Sequence, residues 1–260
     1  MSSDSIITLY DVPSNCNVKA WSPNMWKARY VLNFKGVPYK TTWLEYPEIE
    51  PTMRDIGAAP TGVKPDGSPF YTLPVIVDPS RRTPSGGPTI VSESFLIAEY
   101  LDEAYPTPGP LFPAGTKALQ KLFYDHFFPT ALMPVLPILL PEMLGHVNER
   151  SRPYWRRTRE LRLGAVLEEI CPKDSEKWDK AWEDVQKGMK EIALLLDKNG
   201  FDSNGLVMGQ HLTFADLTIA AFLETIFIVN PEEWHAKVKV WDGGRWERLR
   251  ERCAAWRSIQ

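Results

Sequence analysis

The sequence predicts an α/β domain followed by an all-α domain. Strand-forming runs are confined to the first third of the 260-residue chain, where they alternate with helical patterns in the order βαβ–ββα. Beyond the proline-rich stretch PTPGPLFP at 106–113, strand signals nearly vanish and helical periodicity takes over. A hydrophobic content of 43% over this length supports a substantial core, divided between two modest domains.

The β-branched run Ile6 to Tyr10 is predicted to be the first strand, and the turn-rich DVPSNCN that follows a loop. Ser22 as N-cap, Pro23 at the first helical position and Gly36 past the end bracket a helix whose apolar residues are Met25, Trp26, Ala28, Val31, Leu32 and Phe34. Tyr39 to Leu44 is predicted to be a second strand, parallel to the first because a helix joins them. Residues 46–70 read as a loop with one helical turn around Pro51 to Ile56. Leu73 to Asp78 and Thr89 to Val91 read as a hairpin whose long tip, Pro79 to Pro88, is predicted to be mobile. A helix from about Ser92 to Ala104 closes this half, stopping before Tyr105-Pro106.

The predicted boundaries are 1–105 for the α/β domain, 106–114 for a linker and 115–260 for the helical domain. Helices are predicted over Thr116–Phe128, Pro153–Ile170, Ser175–Lys198, Phe214–Ile228 and Gly244–Ser258, while Pro129, Pro134, Pro137 and Pro141 are expected to bend or break the segment between the first two and open a pocket there. Thr213 and Asp216 form a capping box ahead of a helix that is apolar nearly all round, hence buried at the centre.

A formal net charge of −3 argues against nucleic acid or anionic membrane as a partner. The run Arg150, Arg152, Arg156, Arg157, Arg159 and Arg162 reads as a solvated helical face. The N-terminal MSSDSIITLY lacks the pattern of a secretory signal, and the apolar stretch from Phe127 to Leu140 is short and interrupted by prolines, so the chain is expected to be cytoplasmic with no membrane span. Cys16, Cys171 and Cys253 are too scattered for a disulfide framework, and with four dispersed histidines no metal site is expected.

Three positions carry chemistry. A βαβ–ββα domain, the thioredoxin-like order, sets the N-terminus of its first helix beside the turn into its third strand, and helix amides there favour an anion such as a thiolate. Where such folds often carry a redox cysteine, this chain has Ser22, which can donate a hydrogen bond to a thiolate brought by a ligand. A thiol near pKa 8.5 is about 3% ionised at pH 7, and lowering that by about two units gives roughly 25-fold more nucleophile. Pro74 opens the third strand, and a cis Leu73–Pro74 bond would free the Leu73 backbone to pair with an extended peptide. Glu93 and Ser94 open the last helix of the domain, where the carboxylate suits an ammonium and the hydroxyl a carboxylate.

Together with Lys35-Gly36-Val37-Pro38-Tyr39 and Thr213-Phe214-Ala215-Asp216, these motifs resemble the soluble glutathione transferases of the serine type. The stretch from Pro69 to Ile76 and the long loop before it resemble more specifically the fungal FuA class and the bacterial glutathione-dependent β-etherases. The resemblance implies that Ser22 activates the thiol, that Leu73 and Pro74 hold the cysteinyl residue of glutathione, and that Glu93 and Ser94 hold its γ-glutamyl end. It implies a detoxifying conjugation of glutathione to hydrophobic, aromatic electrophiles, or cleavage of aryl ethers, by a homodimer without a metal.

The acceptor pocket is expected among Trp21, Tyr124, Phe127, Phe128 and Met133. A second reading is a ligandin that keeps the glutathione site and sequesters aromatic compounds with little turnover. A third is a protein-interaction module without glutathione affinity. Cys16 is the rival nucleophile, although it lies six residues before Ser22.

Overall fold

Alternate burial along β1 (Ile7–Asp11) turns Ile7, Leu9 and Asp11 inward and makes this strand an inner member of a four-stranded sheet. In the computed structural model of the protein, which describes residues 6–200 and 205–260, the strand order is β2-β1-β5-β6. The expectations for Met1 to Ser5 fall outside the described residues. β2 (Tyr39–Trp43) runs parallel to β1, with Ile7 opposite Tyr39 and Asp11 opposite Trp43. β5 (Val75–Arg82) is antiparallel to β1, and β6 (Pro88–Ser92) is antiparallel to β5. This is the expected βαβ–ββα order, with α1 (Pro23–Phe34) and α3 (Ser94–Ala104) as its helices.

A buried ion pair locks the first unit. Arg29 of α1 meets Asp11 of β1 at 2.6 Å with both side chains excluded from solvent. The same guanidinium donates to the Tyr39 hydroxyl at 3.1 Å and to Thr41 at 3.2 Å on β2, so one side chain ties three elements together. The outer edge of β2 is covered by residues 256–260: the Thr41 amide donates to the Gln260 carbonyl at 3.1 Å, and Asn33 donates to the Trp256 and Ser258 carbonyls.

Residues 46–70 are more ordered than the loop predicted. A 3-10 turn at Tyr46–Glu48 leads into α2 (Ile49–Asp55), and β3 (Gly62–Val63) pairs with β4 (Pro69–Phe70). The hairpin also differs from expectation, because β5 continues through Pro79 to Arg82 and only residues 83–87 remain at the tip. A bulge between Asp78 and Arg82 accommodates the proline. Asp78 then accepts hydrogen bonds from the hydroxyls of Tyr100 (2.7 Å), Tyr105 (2.6 Å) and Ser80 (2.7 Å), fastening the hairpin base to the end of α3.

The proline-rich segment after α3 is docked rather than slack. Leu111 and Phe112 are buried, Asp102 accepts from both their amides, and Lys35, just after α1, pairs with Asp102 and donates to the Gly109 carbonyl. Phe112 packs against Phe95 of α3 and Phe214 at the start of α9, with ring centroids 5.4 Å apart in each case. This aromatic contact joins the sheet half to the helical half.

The helical half comprises α4 (Lys117–Phe127), α5 (Met133–His146), α6 (Arg152–Leu163), α7 (Leu167–Ile170), α8 (Glu176–Asp197), α9 (Phe214–Val229), α10 (Pro231–Ala236) and α11 (Trp241–Arg252). The prolines do not break the segment after α4. A π-helical turn at Phe128–Leu132 absorbs Pro129 and leads straight into α5, where Pro134 occupies the first turn and Pro137 and Pro141 lie inside. The resulting run, Lys117 to His146, is long and apolar enough to cross a bilayer by length and composition, so the proline argument against a span does not hold; here α5 packs on α8 and α9.

The predicted helix over 153–170 is divided at Gly164, whose φ of 66° no helix allows, and left-handed Asp242, Gly243 and Gly244 kink the start of α11. α9 is buried along nearly its whole length and packs against α1. Its capping box is formed as expected: the Thr213 amide and hydroxyl each lie 2.8 Å from the Asp216 carboxylate, which also accepts from the Val207 amide.

The π turn rests on a glycine. A Cβ placed on Gly188 of α8 would lie 1.8 Å from the Thr130 carbonyl oxygen and 2.9 Å from its carbon, both backbone atoms that cannot rotate away. Gly188→Ala is therefore expected to destabilise the protein by about 1–3 kcal/mol, the ordinary cost of overpacking. A lower urea midpoint with unchanged slope checks this.

Candidate functional site

The antiparallel register of β5 and β6 sets Val75 opposite Ser92, so the residue before one strand meets the residue after the other. Pro74 and Glu93 are those residues. The Leu73–Pro74 bond is cis, and the Glu93 amide donates to the Pro74 carbonyl at 3.3 Å. The Leu73 side chain is buried.

Glu93 has φ 82° and ψ 132°, a conformation that costs a non-glycine residue on the order of 1–3 kcal/mol and that clusters at ligand sites. The left-handed turn explains why α3 begins at Ser94 and not at Ser92. It also folds the Glu93 carboxylate back over the helix end, where it accepts from the amides of Phe95 (2.9 Å) and Leu96 (3.2 Å) and from the Ser94 hydroxyl (3.1 Å). Ser94 is buried, and its hydroxyl also lies 3.4 Å from that of Tyr124.

Ser22 is the N-cap of α1 by position, with φ −83° and ψ 136°, and its carbonyl accepts from Trp26 at 3.0 Å. Its side chain makes no cap hydrogen bond and is half-buried. The first turn of α1 therefore presents amides without intrahelical acceptors beside an uncommitted hydroxyl, an arrangement suited to an anion. Cys16 is less suited. Burial pushes its thiol pKa up, against opposing hydrogen bonds at Ser14 and its own backbone, and a reactive cysteine needs the opposite shift.

One residue that sequence reasoning missed joins these pieces. Lys27 of α1 is 5% exposed and donates to the Tyr124 hydroxyl at 2.7 Å, with its ammonium 4.4 Å from the centre of that ring. Burial lowers its pKa to about 7, against an upward pull from Glu93. The Tyr124 hydroxyl is pushed up to about 12, by burial first and then by Glu93. A chain of polar groups thus runs from α1 through α4 to the start of α3. The available signal was a lysine four residues after Pro23, among the apolar residues Met25, Trp26 and Ala28.

Pro23, Lys27, Tyr124, Phe127, Phe128, Leu132, Thr218 and Phe222 line a cleft between the two halves. Three of the five residues expected around an acceptor, Tyr124, Phe127 and Phe128, are in this wall. Trp21 is fully buried, 5.7 Å from Trp155, and Met133 is exposed; neither lines the cleft. The free space is about 10 Å³, room for one water, so a ring enters only if a side chain such as the half-exposed Phe128 turns aside.

Of the arginine run, Arg150, Arg152, Arg157 and Arg162 are exposed, as a solvated face requires. Arg150 pairs with Glu48 and Arg156 with Glu160 and Glu168, while Arg159 lies 3.7 Å over the Trp155 ring. Among the described residues no group of three or more His, Cys, Asp or Glu could hold a metal ion.

The family model described as "Glutathione S-transferase, N-terminal domain" matches residues 21–104, and "Glutathione S-transferase, C-terminal domain" matches residues 118–256. A glutathione S-transferase of Ceriporiopsis subvermispora, solved in complex with glutathione, is 40% identical with a TM-score of 0.91, covering 98% of this chain and 99% of that one. Glutathione transferase GSTFuA3 from Phanerochaete chrysosporium is 38% identical with a TM-score of 0.90, covering 99% and 100%. The glutathione S-transferase-like protein ustS of Aspergillus flavus is 33% identical over 86% of this chain and 81% of its own length.

Glu93→Ala removes the cap of two α3 amides and is expected to cost about 1 kcal/mol, whereas Glu93→Gln keeps an acceptor oxygen there and costs less. Urea unfolding of the two variants checks the order. Equal stability of Glu93→Ala and the parent would contradict the capping role.

Proposed function

The chain belongs to the glutathione S-transferase family, and on that premise we propose that it activates the glutathione thiol for attack on electrophilic aromatic compounds. The observation that carries this reading is the Ser22 hydroxyl, which makes no cap hydrogen bond at the N-terminus of α1 and so is free to donate to a ligand. Glutathione would lie extended, its cysteinyl residue against the Leu73 backbone and its γ-glutamyl ammonium at Glu93. The α-carboxylate of its γ-glutamyl residue would meet Ser94. The glutathione bound in the relative from Ceriporiopsis subvermispora supports the choice of co-substrate.

The Ser22 hydroxyl and the helix amides stabilise the thiolate, and the thiol proton passes to water. The sulfur then forms a bond to carbon of the acceptor as the leaving group departs with its electron pair. An aryl ether oxygen as leaving group would make the reaction a β-etherase one. Any other displaced group makes it the conjugation expected of a detoxifying enzyme. The free cysteines suit the reducing cytoplasm in which glutathione is abundant. Exposed Leu119 and Leu122 on α4 and Leu96 on α3 offer apolar surface for pairing two copies.

The thiol pKa of bound glutathione, followed by thiolate absorbance against pH, is expected about two units below that of free glutathione. Ser22→Ala should raise it towards the free value and lower kcat by on the order of tenfold to a hundredfold with a variety of aromatic electrophiles. An unchanged thiol pKa and rate in Ser22→Ala would refute the mechanism. Tight binding of aromatic compounds with no turnover of any electrophile would favour the ligandin.

A further inference from the structure

The proposed reaction leaves the buried lysine without a role. Lys27 brings three donors into a wall whose other residues, Pro23, Tyr124, Phe127, Phe128, Leu132, Thr218 and Phe222, carry no charge, and its one hydrogen-bond acceptor among the described residues is a neutral phenol. An ammonium in such surroundings is underpaired, and an anionic oxygen entering the cleft would complete it. Lys27 also stands five residues after the N-cap Ser22, a rise of about 7.5 Å and a turn of about 140° round the helix axis, so an acceptor that reaches both must lie across the first turn of α1.

We propose that Lys27, positioned by Tyr124, determines acceptor specificity by receiving a carboxylate or phenolate oxygen of an aromatic acceptor whose electrophilic carbon points towards Ser22. The inference rests on the proposed conjugation and names the acceptor class for it. The hydrogen bond from Lys27 holds the ammonium at the polar end of the cleft, and the aromatic side chains cover the acceptor ring.

The charge of Lys27 is set by few neighbours. Glu93 ahead of α3 favours the protonated form, and burial opposes it. From α4, Tyr124 stays neutral, while Lys121 and Asp125 pair with each other at 2.5 Å. α9 presents Thr218 and Phe222 to the cleft, and the π turn Phe128 and Leu132, none of them charged. Lys27 is therefore charged below about pH 7 and neutral above it. The preference for an anion should fade as pH rises through that value.

The test compares para-(chloromethyl)benzoate with para-(chloromethyl)benzamide, whose benzylic carbons accept the thiolate and release chloride. The parent protein is expected to favour the carboxylate by about tenfold or more in kcat/KM, because a charged hydrogen bond is lost with the amide. Lys27→Met should abolish that preference, and Lys27→Arg should restore part of it. The carboxylate-to-amide ratio, in which thiol ionisation cancels, should fall as pH rises through 7 in the parent and stay flat in Lys27→Met.

Calorimetric binding of the unreactive para-toluate and para-toluamide is measured in parallel, so that absence of turnover counts against the conjugation alone. A carboxylate preference in binding that Lys27→Met removes upholds the role of Lys27 in either case. No preference in the parent, or equal losses for both ligands in Lys27→Met, overturns it.

Discussion

The candidate site depends on one strand register. Val75 pairs with Ser92, and the next residue on each side, Pro74 and Glu93, meet through a backbone hydrogen bond of 3.3 Å. A slip of one residue would turn the side chains of β6 to the opposite face and carry Glu93 away from the proline turn. Asp78 defends this register from the far end of the hairpin. By accepting from Tyr100 and Tyr105 it anchors β5 to the same helix that Glu93 caps.

α1 supplies the other side of the site and serves three neighbours at once. Arg29 fixes it to the sheet, its apolar residues pack it on α9, and its first turns face the cleft with Pro23 and Lys27. Residues Met25 to Leu32 of the helix are all buried. The opposite wall is of another character. The π turn between α4 and α5 is wedged against Gly188 on one side and presents half-exposed Phe128 on the other. A wall with the polar groups thus faces a wall with the aromatic ones.

The order βαβ–ββα, the capping box at Thr213 and the burial of α9 were legible in the sequence because each rests on local rules of period and capping. Ser22, Pro74, Glu93 and Ser94 were legible as positions for the same reason: each opens a strand or helix. Other features depend on contacts far apart in the chain. The prolines of α5 signal a break when read alone, yet a π turn absorbs Pro129 and Pro134 falls where no amide donor is needed. Trp21 and Phe127 look alike as aromatic candidates, and only packing separates the one against Trp155 from the one in the cleft wall. Lys27 escaped notice because its partner is 97 residues away.

The structure of the complex with glutathione tests the account most directly. The expected result is an extended glutathione with its sulfur within hydrogen-bond distance of the Ser22 hydroxyl, its cysteinyl backbone paired with Leu73 and its γ-glutamyl ammonium at the Glu93 carboxylate. A glutathione whose sulfur lies away from Ser22, or is joined to Cys16 as a mixed disulfide, would contradict it.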